Sequence, residues 1–269
     1  MAHLDPDGPR HVSAFLRNTA FLLGLPLLLV LWWWWATIDS TNFFVPTPGE
    51  LVTTFVDTWF GPRFWQDVLP SIGRLAAGLA LAIVLGVAFG ILIGSFKRLR
   101  QLLEPLLEFI RAVPPVVLVP LLMLLIGIND LMKVVVIVSG AIWPILLNTV
   151  EGVRATDEVQ RDTCATYRIR GLNRLRYLTL PAASPQILAG VRQSLSIGLI
   201  LMVISEMFGS SSGLGFTIVW FQRNFAIPEM WSGILVLGLI GLGLSVIFRV
   251  VERRILRWYH GLREVQRAS

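Results

Sequence analysis

Residues 71–100 read SIGRLAAGLALAIVLGVAFGILIGSFKRLR. After Arg74 the run carries no charge until Lys97-Arg98-Leu99-Arg100 closes it. A helix needs about 20 mainly apolar residues to cross about 30 Å of hydrocarbon, so residues 73–96 predict a membrane span with a basic end. Within the span Gly78, Ala82, Gly86, Gly90 and Gly94 recur at every fourth position. That spacing lines small residues along one helix face, where a neighbouring backbone packs closely. A glycine-lined pathway is the other use of such a face. Gly190, Ser194 and Gly198 form a weaker version further along the chain.

Composition extends the reading to the whole chain. The 269 residues are 55% hydrophobic and 15% charged, against about a quarter charged in a soluble domain, and the mean hydropathy is +0.70. The apolar residues come in blocks that predict six spans, at about 18–38, 73–96, 106–127, 131–150, 187–208 and 231–250. The expected fold class is therefore all-α, a polytopic integral membrane protein. Trp32–Trp35 follow the first apolar block. Tryptophans there suit an interfacial anchor better than a cleavage site, which predicts an uncleaved span. The net charge of +6 is carried by clusters between spans rather than by one aromatic-rich face, which argues against nucleic acid. The single cysteine, Cys164, permits no internal disulfide. His3, His11 and His260 all lie in the tails, so no metal site is expected.

Most of the 23 basic residues fall in the N-terminal tail, 97–100, 151–186 and the C-terminal tail. The positive-inside rule puts these segments, and both termini, in the cytoplasm. Prolines 114, 115, 120 and 144 fall in the third and fourth spans and predict kinks, because each removes a helix donor and crowds the preceding turn. Glu206 lies near the outer end of the fifth span. A charge at mid-membrane costs about 2.5–3.5 kcal/mol on insertion scales, so Glu206 is a candidate for the translocation pathway or a gate. Asn148, Ser139 and Arg111 are further candidates. Glu108 precedes Arg111 by three residues, a spacing that favours an ion pair on the third span.

One cytoplasmic segment stands apart: RDTCATYRIRGLNRLRYLTLPAASP, residues 161–185. It predicts two short helices within 157–181. Asp157 caps the first, with Gln160 in the capping-box position, and Gly171 offers a turn. Leu172, Leu175 and Leu178 share one side of the second, and Pro181 stops it. Such an amphipathic helix outside the membrane suits a partner groove.

This segment resembles the cytoplasmic signature loop of ABC importer permeases: Glu-Ala-Ala, three residues, Gly, nine residues, an aliphatic, one residue, Leu-Pro. Registered on Leu180-Pro181, Leu178 takes the aliphatic position and Asp162-Thr163-Cys164 takes Glu-Ala-Ala. Arg168 stands where the glycine usually lies, and Gly171 follows three residues later. Other stretches are similar, in order, to permeases of the nitrate/sulfonate/taurine type. They are FVPTPGEL (44–51), SIGRLAAG (71–78), RAVPPVVLVPLLMLLIGI (111–128), WPILLNTVEGVR (143–154) and SEMFGSSSGLGF (205–216).

The resemblance implies three segments: a tail and first span (1–39), a permease core (40–258) with its coupling loop at 155–185, and a C-terminal tail (259–269). It implies a bacterial inner-membrane subunit that works as a dimer with a second permease copy. Two ABC ATPase subunits would bind the coupling loops, and a periplasmic or lipid-anchored solute-binding protein would deliver the solute. Family cargo includes nitrate, sulfonates, taurine, aromatic acids and vitamin precursors. ATP would be bound by the partner: this chain lacks G-x-x-x-x-G-K-[ST], needs no cofactor and is not expected to be an enzyme. A stand-alone channel or secondary transporter is the alternative, with midplane polar clusters or symmetric broken helices as its mark.

Overall fold

The computed structural model describes residues 24–38, 42–208 and 210–259, and these form helices joined by turns. The elements are α1 (Gly24–Thr37), α2 (Pro48–Trp59), α3 (Leu69–Ser95), α4 (Lys97–Ala112), α5 (Leu118–Ile126), α6 (Asp130–Arg154), α7 (Glu158–Thr166), α8 (Gly171–Arg174), α9 (Leu180–Met207), α10 (Leu214–Arg223) and α11 (Ile227–Ile255). Four continuous helical stretches built on α3, α6, α9 and α11 are long and apolar enough to cross a membrane, and α4 with α5 forms a bent fifth. Of the first expected span, Gly24–Thr37 is the shorter apolar helix α1, and residues 18–23 lie outside the described residues.

The centre of the molecule is the α3–α6–α9 trio. Small residues determine how close these helices come. A β-carbon built on Gly90 would stand 2.5 Å from Thr149 Cβ, and one on Gly190 would stand 2.6 Å from the Pro144 carbonyl oxygen. Both faces are therefore used for helix packing, with α6 as the common neighbour. Leu75, Met132, Val136, Ile137, Ile145 and Met202 fill the contact. Ser194 Oγ donates to the Ala141 carbonyl at 2.6 Å, a cross-helix bond of the kind membrane interiors favour.

Prolines act in three ways here. The third expected span is broken: α4 ends at Ala112, and α5 follows a bend of 69°. Pro114 is extended, with ψ 126°, because the ring of Pro115 disfavours helical geometry in the residue before it. Pro144 breaks nothing, and α6 runs through it. The third case corrects the reading of Pro181. It sits in the first turn of α9 rather than ending a helix. A π-turn over Leu175–Thr179 feeds straight into α9, with Leu180 N–H donating to the Leu175 carbonyl. Widening the turn by one residue moves the preceding carbonyls away from the proline ring. The same device recurs at Pro70, where a π-turn over Phe64–Val68 precedes α3.

The expected Glu108–Arg111 ion pair does not form. α4 buries no residue fully; it lays Leu99, Leu103 and Leu107 on Ile93, Leu146 and Val150 and leaves Glu104, Glu108 and Arg111 exposed along the groove beside α6. A side chain in contact with water keeps little from such a pair.

Candidate functional site

Glu206 is completely buried, in the last turn of α9. Its Oε1 accepts from Arg74 Nη1 at 2.7 Å, and its Oε2 accepts from the Gly215 amide at 3.0 Å. Ser71 Oγ lies 2.7 and 2.8 Å from the two carboxylate oxygens. The hydroxyl has one proton, which the charged acceptor draws most strongly, while its oxygen accepts from the Leu214 amide at 2.9 Å. Arg74 also donates through Nε to Asp130 Oδ1 at 2.8 Å, and Lys133 Nζ reaches the same oxygen at 3.4 Å.

These groups hold the start of α10. The first amides of a helix have no partners within it. Here the Gly213 amide donates to Asp67 Oδ1 at 3.1 Å, Leu214 to Ser71, and Gly215 to Glu206. Three side chains, from the π-turn, α3 and α9, thus cap one helix. The negative charges of Asp67 and Glu206 lie at its positive end. Glycine is needed at 213: φ is 115°, and a β-carbon there would stand 2.5 Å from Glu206 Cδ. Arg63 closes the rim, 4.9 Å above the Phe221 ring and 3.9 Å from Asp67. Among the described residues no buried side-chain nitrogen or oxygen lacks a partner. The arrangement is a saturated clasp that fixes the loop between α9 and α10.

The loop between α6 and α9 lies at the opposite end of α9. Asp157 Oδ1 accepts from the Gln160 amide at 3.1 Å and starts α7. Its end uses a left-handed residue: Arg168 has φ 53°. The Arg168 amide donates to the Ala165 carbonyl at 3.1 Å, and the Ile169 amide donates to Cys164 at 2.8 Å. This bond pair is a Schellman ending, made by an arginine where glycine is the easier residue. Gly171 is also left-handed, with φ 58°.

Asp162 and Thr163 are exposed and Cys164 is half-buried. The three leucines do not share one buried face. Leu172 is 77% exposed and Leu178 only 7%, with Leu175 between them and Leu180 at the margin. The π-turn rotates Leu178 inward, where it lines two grooves. One, of about 720 Å³, includes Cys164, Tyr177, Pro181, Trp258 and Tyr259. The other, of about 510 Å³, includes Phe96, Arg161, Arg174 and Leu175.

The family described as "binding-protein-dependent transport system inner membrane component" matches residues 82–258. A putative aliphatic sulfonates transport permease protein, SsuC of Bacillus subtilis, is 32% identical over 80% of this chain and 78% of its own. The chain belongs to this family. It is the permease subunit of an ABC importer of the nitrate/sulfonate/taurine type and a multi-pass membrane protein. The taurine transport system permease protein TauC of Escherichia coli is 29% identical to this permease over 90% of the chain and 89% of its own. The bicarbonate transport system permease protein CmpB of Synechococcus elongatus is 32% identical over 72% and 70%.

The permease shares its fold with solved ABC transporters. The inward-facing MetNI methionine transporter aligns with a TM-score of 0.55 at 18% identity, over 73% of this chain and 97% of the solved one. An amino acid ABC transporter solved with histidines gives 0.54 at 18%, over 80% and 99%.

Of the pathway candidates, only Glu206 enters the clasp. Asn148 is half-buried and donates through Nδ2 to the Pro144 carbonyl at 2.8 Å; Arg111 lies exposed in the last turn of α4. The permease sequence hid Ser71, Arg74, Asp67 and Asp130, which look like ordinary residues at span ends. The one available signal was an acidic residue before a Gly-x-Gly loop, which needs a cation and a donor to bury it.

Proposed function

We propose that this permease lines the translocation pathway as a homodimer, takes a small oxyanion from an external binding protein, and is driven by two ATPase subunits docked on the 155–185 loop. In this reading ATP stays with those subunits, the chain itself holds no cofactor, and residues 40–258 are the working core. Both termini and the loop face the cytoplasm, and the Glu206 clasp faces outward. The cargo class is taken from the relatives, whose names specify aliphatic sulfonates, taurine and bicarbonate; each carries an oxyanion.

The observation that best supports docking is the outer face of the loop. Val159, Tyr167, Leu172 and Tyr177 are 67–77% exposed beside Arg168, Arg170, Arg174 and Arg176, all exposed. Apolar anchors with a charged rim suit a partner interface. Leu172→Glu should release the ATPase from the purified complex, since burying a leucine contributes about 2 kcal/mol, while the membrane helices stay folded. Leu178→Glu should instead destabilise the permease itself. A fully coupled complex carrying Leu172→Glu would overturn this docking face.

A further inference from the structure

α9 carries a polar feature that the helix core does not use. Leu188, Val191, Leu201, Met202 and Glu206 point into the protein, whereas Gln186, Arg192, Gln193 and Ser196 are exposed. At about 100° per residue these four fall within one stripe about 120° wide, opposite the buried side. Arg192 is about 21 Å along the axis from Glu206, about five residues inside the cytoplasmic end expected for the fifth span, and Glu252 lies just beyond the sixth. Its side chain is 58% exposed, with Nη2 3.5 Å from Glu252 Oε2 of α11, itself 21% exposed. Among the described residues the guanidinium makes no hydrogen bond. Arg74 has tight, saturated contacts; Arg192 has one loose partner and most of its donors free.

A guanidinium near the cytoplasmic end of a span reaches interfacial water, which leaves its free donors open to a passing ligand. The neighbouring glutamines and serine fit the same surroundings. Its planar fork matches an oxyanion in a bidentate arrangement. We propose that Arg192 recognises the anion at the cytoplasmic mouth of the pathway, with Glu252 as an exchangeable counter-ion. An arriving oxyanion displaces Glu252 from the guanidinium, and Glu252 returns as the solute moves on. This keeps binding weak enough for release. The inference rests on the proposed oxyanion cargo and names the residue that reads it.

The test uses charged thiol reagents as the probe, so it does not depend on knowing the solute. In the complete transporter, Cys164→Ala and Ser196→Cys place one thiol on the stripe, one turn from Arg192. Reaction rates with anionic sulfonatoethyl and cationic trimethylammonioethyl methanethiosulfonate are compared, calibrated against a free thiol. The anionic reagent should be favoured. Arg192→Gln should lower the anion-to-cation ratio about fivefold, equivalent to about 1 kcal/mol across a water-filled path. Arg192→Lys should keep the preference, and Glu252→Gln should raise it.

A thiol unreactive to both reagents, in resting and ATP-bound complexes alike, would overturn the proposal. So would a ratio unchanged by Arg192→Gln; should that variant fail to assemble, an unmoved ratio in Glu252→Gln decides against it. Transport of a solute without an anionic group by the unmodified transporter would instead refute the oxyanion-cargo reading, leaving the reagent asymmetry to stand by itself.

Discussion

Glu206→Gln is nearly isosteric, yet it should loosen the whole outer clasp. The carboxylate accepts at both oxygens, from Arg74 on one side and from Gly215 on the other, and the one hydroxyl proton of Ser71 is shared between them. A glutamine has one accepting oxygen and one donating amide. In either orientation its NH₂ group meets a donor, Arg74 Nη1 or the Gly215 amide. Losing a charge-assisted bond costs about 1.5–3 kcal/mol, and an orphaned buried donor adds to it. Arg74 retains Asp130, but that side chain is 70% exposed and compensates only partly. The net cost is about 3 kcal/mol, at the lower end for a broken buried pair.

Purified permease should then lose about 6–12 °C of melting temperature. The Gly213, Leu214 and Gly215 amides should exchange about a hundredfold faster, since they open with the clasp. Arg74→Met combined with Glu206→Leu should cost less than the two changes summed, because neither charge is left alone. Unchanged melting together with unchanged exchange at these three amides would refute the reasoning.

Two further outcomes follow from the packing. Gly90→Leu should separate α3 from α6 at Thr149 and lower stability by about 3 kcal/mol or more, as overpacking does; Gly73→Ala, whose β-carbon meets nothing within 4 Å, is the matched control, and equal melting of the two would contradict the packing account. Arg168→Gly should stabilise the ending of α7 by about 1 kcal/mol, because the left-handed conformation penalises a β-carbon. Raised protection of the Ile169 amide in hydrogen exchange would show it, and lowered protection would mean the arginine side chain holds the turn.

Much of the helix layout was legible because it depends on local chemistry. Apolar length marked the spans, every-fourth-residue glycine marked the α3 face, and Asp157 with Gln160 marked the start of α7. The ordered motifs from 44 to 216 identified the family without any structure. Where local reading failed, geometry one turn away decided the outcome. Leu172, Leu175 and Leu178 line up on an ideal helix, but the π-turn at Leu175–Thr179 adds a residue and turns Leu178 inward. Pro181 reads as a stop until that wider turn makes room for its ring. Arg168 adopts the conformation of the glycine it replaces, because the hydrogen bonds at the end of α7 demand the shape whatever the side chain.

Sequence alone determined that this chain is a bundle of membrane helices with a basic loop, since transfer free energy and charge placement are properties of each segment by itself. Tertiary structure alone decided which charges meet. Glu206 and Ser71 are 135 residues apart in the chain, and Arg74 is 132 from Glu206. No pattern within a segment links them. The same holds for Arg192 and Glu252, whose pairing exists only because α11 packs along α9. A buried charge takes its role from the partner that offsets its lost hydration, and in this fold that partner comes from another helix.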